Sequence, residues 1–405
     1  MTFLLSINFI ESDKFYQGEY YYLLLSSLLG ALVVSSSRDL LTIFIGIELA
    51  STPMFLLSGW KKGDRKSNEG AIKFFLLGVL SASLILYGFS LIYGLTGQLV
   101  FTDISAYLLA NSLGSSPVIL LSAILVISGI GFKISVVPFH SWAPDTYEGA
   151  PLPITAYLSV SSKATGFVAL IVLLTKVFES SGQSWGVILS IVAGATMTLG
   201  NLVALQQTNP VRLLAYSSIS QAGFIIAPLA VSGITGNYQD GIFASVTYLI
   251  IYAFMNIGAF LSVHLFTNFT KSDNFYEWGG IAKHSPLAGV LTTVFFFSLA
   301  GIPPLGGWFA KFVVFRSLLS TGEIIGISLA IVGAINAVIA LVYYARISKV
   351  IWMDELKNPE EEKSFEFQSP LKVVGAFTVL ITFVAGIFPG IFSYLGEVSS
   401  IFFGN

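Results

Sequence analysis

The sequence predicts an all-α membrane protein with about eleven transmembrane helices. Of its 405 residues, 55% are hydrophobic and only 10% are charged. In soluble domains roughly a quarter of the residues are charged. Apolar stretches close to the ~20 residues needed to cross a bilayer recur from Tyr20 to the C-terminus. Short segments rich in Pro, Gly, Ser and charged residues separate them. A single polytopic membrane domain, residues 1–405, is therefore expected.

Each apolar stretch is assigned to one transmembrane span. The first ten spans form two groups of five, and the eleventh span follows them. The predicted spans are Tyr20–Ser37, Asp39–Trp60, Asn68–Gly97, Ser116–Pro138, Pro151–Phe178, Gly186–Gln207, Pro210–Ser232, Gly241–Phe269, Pro286–Leu319, Glu323–Met353 and Pro370–Leu395. The N-terminal segment does not resemble a signal peptide, because it has neither a charged leader nor a small-residue cleavage site.

Lysine and arginine are distributed unequally between the two sides of these spans. Thirteen lie on one side: Lys14, Lys61, Lys62, Arg65, Lys66, Arg212, Lys271, Lys283, Arg346, Lys349, Lys357, Lys363 and Lys372. Three lie on the other: Arg38, Lys176 and Arg316. The positive-inside rule makes the first side cytoplasmic. The N-terminus is then cytoplasmic, and an odd number of spans places the C-terminus on the opposite side. For the bacterial inner membrane, which is the expected location, that side is the periplasm.

Two spans are interrupted at corresponding positions. The fourth contains GIGFKISVVPFH and the ninth contains AGIPPLGGWFAKF, each with a lysine beside the break. The interrupted helix is thus the fourth of five in a first unit (residues 20–178) and in a second (186–353), with 370–395 as the last helix. An odd number of helices per unit makes the second unit inverted, and broken helices in inverted halves indicate an ion pathway near mid-membrane. The alternative is that Pro and Gly simply kink packed helices.

Five ionisable residues lie within predicted spans: Glu48, Lys73, Lys133, Lys163 and Lys311. Each costs about 2.5 to 3.5 kcal/mol near the bilayer centre unless it faces water or a partner. Glu48 lies roughly 15 Å of helix from either end of its span, so it must have a partner, and Lys163 is equally deep. Lys73 is five residues inside its helix and is the one most able to reach the surface.

These residues suit proton transfer. Burial lowers the proton affinity of a lysine and a nearby carboxylate raises it, so an amine between the two exchanges protons near neutral pH. A static ion pair would use the same residues, but one Glu cannot neutralise four lysines. Ser and Tyr side chains of the spans, with Gln221, are suited to hold water between the lysines: Ser161, Ser162, Tyr216, Ser217, Ser218 and Ser220.

Other chemistries have no support in the sequence. The absence of cysteine excludes disulfides and iron-sulfur clusters in this chain, and His140, His264 and His284 lack metal-ligand spacing. No phosphate-binding loop or dinucleotide fingerprint is present. A formal net charge of −2 argues against a nucleic-acid partner. No cofactor is therefore expected in this chain.

Five segments together resemble the antiporter-like membrane subunits of complex I, the proton-pumping NADH:quinone oxidoreductase. They are FIGIELASTPMFLLSGW, residues 65–97, residues 131–167, RLLAYSSISQAGF and GIPPLGGWFAKF. Residues 69–97 and Lys311 are more similar to the subunit N group than to the L and M groups. The family has fourteen helices, and the eleven spans match its fourth to fourteenth, which implies that about three N-terminal helices are missing, through a misassigned start or a fragment.

The resemblance implies roles for the five buried charges. Glu48 corresponds to the acid of the fifth family helix, which faces Lys133 on the broken seventh helix. Lys163 corresponds to the central lysine of the eighth helix and Lys311 to the exit lysine on the broken twelfth. Lys73 corresponds to a further lysine near Glu48.

The expected function is proton translocation within NADH:quinone oxidoreductase, with quinone reduction elsewhere driving protonation changes along the lysine row. The resemblance implies other membrane subunits of complex I as partners, especially neighbouring antiporter-like subunits. It also implies that NAD, flavin mononucleotide, iron-sulfur clusters and quinone bind in partner subunits. The nearest alternative is a subunit of a multi-subunit cation/proton antiporter. Neighbouring genes for peripheral redox subunits would distinguish the oxidoreductase from the antiporter. A stand-alone transporter would need a substrate pocket, and a purely structural scaffold leaves the cost of the buried charges unexplained.

Overall fold

The chain is helical in the parts that the structure, a computed structural model, describes: residues 1–11, 18–355 and 369–404. The first eight helices are α1 (Thr2–Glu11), α2 (Gly18–Ser36), α3 (Leu40–Ser58), α4 (Arg65–Thr96), α5 (Phe101–Ala110), α6 (Pro117–Ile134), α7 (Trp142–Gly149) and α8 (Leu152–Lys176). The other helices of eight or more residues are α9 (Gly182–Ala204), α10 (Pro210–Thr235), α11 (Tyr238–Thr270), α12 (Pro286–Ala300), α13 (Gly306–Ser320), α14 (Ile324–Met353), α15 (Ser369–Ile387) and α16 (Gly390–Gly404).

Polar caps start the long helices where the sequence changes from loop to apolar run. The Asp39 carboxylate accepts a hydrogen bond from the Thr42 backbone N–H, and Asn209 caps α10 in the same way. Such side chains satisfy backbone donors that have no partner in the first turn of a helix. At the other end, Gly97 (φ 68°) and Gly236 (φ 75°) close α4 and α10 in the left-handed conformation that favours glycine.

The number of spans agrees with the prediction. Ten helices of the described residues are long and apolar enough to cross a bilayer, and α12 and α13 together fill the predicted ninth span, Pro286–Leu319. α10 lies at the centre, with 94% of its most apolar stretch buried, whereas α2, α4 and α14 are about one third buried. The exposed faces of these outer helices are apolar and suit contact with lipid.

The last predicted span, Pro370–Leu395, is wrong in detail. The helix stops at Ile387, and a second helix, α16, starts at Gly390. Pro389 explains the interruption, since proline removes a backbone donor and clashes with the preceding turn. Gly386 packs so closely on the loop between α12 and α13 that an added Cβ would lie 1.8 Å from the Pro304 carbonyl oxygen. Three shorter helices, α1, α5 and α7, were not predicted as elements. Lys14, Lys357 and Lys363 lie outside the described residues.

Both helices predicted to be interrupted are interrupted. α6 ends at Ile134, and Ser135 takes a left-handed conformation (φ 60°) before α7 resumes at Trp142. α12 ends at Ala300, where Gly301 has φ 95°, and α13 resumes at Gly306. α8 contains a third irregularity, a π-helical turn at Leu158–Ser162 directly before Lys163. Such turns are frequent at functional sites.

Candidate functional site

Lys133 lies in the last turn of α6, at the first break. The residue is 6% exposed, and its Nζ donates hydrogen bonds to Ser51 Oγ (2.9 Å) and Glu48 Oε1 (3.4 Å) on α3. The rings of Phe55 and Phe132 flank the amine at 5.6 and 5.8 Å. Lys133 and Glu48 therefore form an amine–carboxylate pair. The sequence indicated that Glu48 has a partner, and the resemblance implied that this partner is Lys133.

Aromatic packing fixes the end of α6 that carries Lys133. Trp142, the first residue of α7, donates its indole N–H to the Phe132 carbonyl oxygen at 2.9 Å. Its ring stacks on Phe74 of α4, with the centroids 4.2 Å apart. The same carbonyl oxygen accepts a hydrogen bond from the Ser135 backbone N–H, so the indole N–H is its second donor. This second hydrogen bond holds the two halves of the interrupted helix together.

A small cavity of about 10 Å³ adjoins Lys133 between α3, α6 and α8. Its lining includes Ser51, Lys133, Ser162 and Thr165. This volume is close to the minimum that holds one water molecule, and the polar lining supplies the partners that such a water needs. The cavity therefore leads from Lys133 towards the π-helical turn that precedes Lys163.

Lys163 is 2% exposed, and its amine lies against α10. Nζ donates to the backbone oxygen of Ser218 (2.7 Å) and to Ser218 Oγ (2.5 Å). The Tyr252 hydroxyl of α11 also donates to Ser218 Oγ, at 2.9 Å. Ser218 thus joins Lys163 to a tyrosine.

Lys311 lies in the second turn of α13, beside the second break, and is 5% exposed. Its Nζ donates to the backbone oxygens of Ala300 (2.6 Å) and Leu299 (3.2 Å) at the end of α12. These carbonyls are available because α12 stops there. The Phe224 ring lies 5.3 Å from the amine.

A chain of polar side chains fills the space between Lys163 and Lys311. Gln221 donates to the Leu299 oxygen that Lys311 also contacts, and its own side-chain oxygen accepts a hydrogen bond from Tyr248. Its amide lies 3.5 Å from the Tyr344 hydroxyl, which is hydrogen-bonded to Ser217. The sequence identified Ser217, Ser218 and Gln221, but not the tyrosines.

Charge is unevenly compensated along this row. Within the described part of the chain, no carboxylate oxygen lies within 4.0 Å of Lys163 or Lys311, whereas Lys133 has Glu48. An ammonium ion without a counter-charge is expensive to bury, so such amines lose their proton or gain water. The geometry therefore suits amines that change protonation state.

Lys73 differs from the other four residues. Its side chain is 43% exposed, and its amine pairs with Glu69 and Asp145, both at 2.7 Å. The expected proximity to Glu48 is not seen as an ion pair; Glu48 pairs with Lys133 instead. Lys73 thus lies outside the buried row formed by Lys133, Lys163 and Lys311.

No metal site is present among the described residues, where no cluster of three or more His, Asp or Glu has suitable geometry. His140 is half-buried after the first break, and His264 contacts Asn268 late in α11. The site is therefore built from amines, hydroxyls, one carboxamide and one carboxylate.

Comparison with known families agrees with this geometry. Residues 37–338 match the NADH:quinone oxidoreductase/Mrp antiporter transmembrane family, a span that includes all five ionisable residues. The chain belongs to this family. The resemblance predicted from its motifs is confirmed.

Relatives match over almost the whole chain. NADH-quinone oxidoreductase subunit N from Heliobacterium modesticaldum is 35% identical over 99% of this chain and 81% of its own length. Subunit N 2 from Rhizobium meliloti is 40% identical with the same coverage. A chain of respiratory complex I from Thermus thermophilus superposes with a TM-score of 0.76 at 27% identity, over 94% of this chain and 80% of that chain. This chain is accordingly an antiporter-like membrane subunit of the subunit N type.

Proposed function

We propose that this chain translocates protons within NADH:quinone oxidoreductase, using a row formed by the Glu48–Lys133 pair, Lys163 and Lys311. The observation that carries the proposal is that three lysines, each at most 6% exposed, lie beside irregular points of three helices. Quinone reduction in partner subunits supplies the energy, and this chain carries the protons. The redox cofactors belong to partner subunits. Other partners of this chain are the neighbouring antiporter-like membrane subunits, which lie beside it in the bilayer.

The broken helices support the row. A continuous α-helix uses its backbone groups internally, whereas a break frees carbonyls for an amine and gives room for water. Lys311 contacts two such carbonyls, and Lys133 lies in the final turn before the other break. The two breaks occupy corresponding positions in residues 20–178 and 186–353, which we assign to two inverted repeats.

Movement of the Glu48 carboxylate is the coupling step in this proposal. The Lys133 amine favours its protonated form when the carboxylate is near and its neutral form when the carboxylate moves away. The proton then passes to Lys163 and onward through the hydroxyls and water around Ser218 and Gln221. Lys311 releases it towards the side of the membrane that carries fewer cations.

The test uses the complex purified from membranes through a tag on this subunit. Co-purification of flavin and iron-sulfur proteins is expected for an NADH:quinone oxidoreductase subunit, and their absence would favour the antiporter alternative. In the same preparation Lys163→Met should abolish proton pumping while assembly is retained on a native gel. A Lys163→Met complex that pumps at the wild-type rate would exclude the lysine row as the pathway.

A further inference from the structure

Two buried polar side chains of α9 connect the surroundings of the two helix breaks. Thr196 contacts the loop of the first break, and Asn201 contacts α14 beside the second half of the lysine row. Both residues are fully buried. They lie five residues apart, which is roughly 7.5 Å along a helix axis. Neither residue belongs to the proton-transfer row described above.

Thr196 satisfies a backbone group of the first break. The Val137 N–H, in the loop between α6 and α7, donates to Thr196 Oγ1 at 3.0 Å. The same hydroxyl donates to the Val192 carbonyl oxygen of its own helix. An interrupted helix leaves backbone N–H groups without a helical acceptor, and a side chain has to supply one. Because Val137 follows Lys133 by four residues, Thr196 holds the segment directly after that lysine.

Asn201 uses both ends of its carboxamide group in contacts with α14. Its Nδ2 donates to the backbone oxygen and to Oδ1 of Asn336, both at 3.0 Å. Its Oδ1 accepts a hydrogen bond from the Tyr343 hydroxyl at 2.9 Å. The Asn336 amide in turn donates to Thr198 Oγ1 of α9 at 3.2 Å. These hydrogen bonds fix the Tyr343 hydroxyl relative to α9.

Tyr343 connects Asn201 to the polar chain beside Lys311. Its hydroxyl has the Tyr344 side chain as a further hydrogen-bonding neighbour, and the centroids of the two rings lie 4.4 Å apart. Gln221 lies 3.5 Å from the Tyr344 hydroxyl. Gln221 also donates to the backbone oxygen at the end of α12 that the Lys311 amine contacts. The contacts of α9 therefore reach from the loop after Lys133 to the second break.

Other contacts already hold α9 in its place. A Cβ added at Gly200 would lie 2.7 Å from the Ser220 backbone nitrogen of α10. Such close approach of two helices at glycine is a common way to pack membrane helices without polar contacts. The hydrogen bonds of Thr196 and Asn201 are thus not needed to attach α9 to the bundle, and they call for another explanation.

This connection is suited to transmit position and not protons. It starts with the backbone N–H of Val137 and passes through the carboxamide of Asn201. Neither group gains or loses a proton near neutral pH. A displacement can pass between them, because a helix is a rigid element of the kind that carries coupling between distant sites.

We propose that α9 couples the two helix breaks, with Thr196 and Asn201 as positioning residues that make the surroundings of Lys311 depend on the state of Lys133. The inference rests on the proposed function and adds to it a connection between the two halves of the row. Protons pass along the lysines, whereas α9 sets when the second half is arranged to receive them.

The coupling follows the hydrogen bonds in order. A change in the protonation of Lys133 alters its contacts with α3, and the loop that carries Val137 moves with the end of α6. The hydrogen bond to Thr196 passes this movement to α9. Asn201 then shifts the Tyr343 hydroxyl, and with it the polar group that shares a carbonyl oxygen with Lys311.

The first test removes each polar group and keeps the shape of the side chain. Thr196→Val and Asn201→Leu should each lower proton uptake by vesicles about fivefold, at the low end of coupling between two sites. Thr196→Ser keeps the hydroxyl and should restore the wild-type rate. Ser190→Ala is the matched control on the same helix, because this hydroxyl donates within α9, to the Gly186 oxygen. All rates are normalised to assembled complex.

The decisive test is the double variant Thr196→Val/Asn201→Leu. If both residues serve one connection, its second interruption adds nothing, and the double variant should also pump about fivefold below wild type. Two independent packing defects, at residues with different partners, would multiply to about 25-fold. A merely structural role of the two residues therefore predicts a different value.

Tyr343→Phe interrupts the same connection if complexes with Asn201→Leu do not assemble. The change removes the hydroxyl that bonds Asn201 and keeps the ring contact with Tyr344. Combined with Thr196→Val, which lies on another helix, it should again give a loss of about fivefold and not the product of the two single losses.

The outcomes separate this proposal from the proposed function. Wild-type pumping in Thr196→Val, or losses that multiply in the double variants, would overturn the coupling through α9. If Lys163→Met still abolishes pumping in that case, the lysine row stands without this connection. Wild-type pumping in Lys163→Met would instead overturn the row itself.

Discussion

The Lys73 amine lies 2.7 Å from the Asp145 carboxylate of α7. Arg212 of α10 bonds the other oxygen of Asp145 and also Glu148, each at 2.8 Å. With Glu69 and Lys66, three bases and three acids form one network that joins α4, α7 and α10. Lys73 therefore contributes to the attachment of α7, the segment that follows the first break, and has its counter-charges at the surface.

The position of Lys73 predicts that its removal lowers turnover less than the removal of Lys133 does. Lys73→Ala should reduce quinone-coupled turnover no more than about twofold, since half-exposed ion pairs contribute little. Lys133→Ala should reduce it about a hundredfold, as expected for loss of a proton-transfer group. NADH:quinone turnover in vesicles, normalised to assembled complex, measures both. Equal losses would place Lys73 in the proton pathway.

The network also predicts a dependence of stability on pH. Burial alone would raise the pKa of Asp145 and of Glu148, but hydrogen bonds from Lys73 and Lys66 and from Arg212 outweigh it, and both pKa values lie below their ordinary range. A carboxyl group with a lowered pKa stabilises the folded state above its unfolded pKa of about 4. That contribution is lost as the pH falls further, through the folded pKa values.

Arg212→Gln should therefore lower thermal stability at neutral pH, by about 1 kcal/mol for each partly exposed pair that is lost. Below about pH 4 the wild-type protein loses the same contribution, so the difference between variant and wild type should shrink there. Thermal unfolding in detergent across this pH range measures it. A difference that does not change with pH would mean that Arg212 acts through packing.

Sequence patterns were enough to predict the parts of the site that depend on local rules. Lys133 and Lys311 stand beside Pro and Gly segments that break helices, and Glu48 is too deep to lack a partner. The tyrosines were not predictable, because they meet the polar residues of α10 only through helix packing. Tyr252 of α11 bonds Ser218, Tyr248 of α11 bonds Gln221, and Tyr344 of α14 bonds Ser217 and Gln221. The pairing of Lys73 with Asp145 likewise depends on where α7 folds back.

The Glu48–Lys133 pair predicts a defect for Glu48→Gln. The variant keeps the shape of the side chain but removes the counter-charge, so Lys133 binds its proton less readily and pumping slows about tenfold. Ser51→Ala is the comparison, because it removes a neutral hydrogen bond to the same amine and should cost less. Proton uptake with assembled complex is the measurement. Unchanged pumping in Glu48→Gln would show that Glu48 is a packed, protonated acid.

The inferred orientation predicts opposite reporter results at two positions. A reporter after Asn405 should read as periplasmic, and one within residues 354–366 as cytoplasmic, from the excess of Lys and Arg on that side. Asn405 and residues 356–366 lie outside the described residues, so this prediction rests on the sequence alone. Alkaline phosphatase and fluorescent-protein fusions to the same positions measure it. The reverse pattern would invert the assignment of sides.

The sharpest prediction concerns the chemistry of Lys133. Arginine at this position keeps a positive charge near Glu48 and Ser51, but its guanidinium does not release a proton at any relevant pH. If the amine is a relay, Lys133→Arg should pump as poorly as Lys133→Ala, about a hundredfold below wild type, although the charge is retained. If the lysine only balances Glu48, arginine should restore most of the activity. Vesicle proton uptake and quinone turnover, normalised to assembled complex on a native gel, decide between the two: wild-type pumping in Lys133→Arg would make Lys133 an electrostatic fixture and exclude the relay.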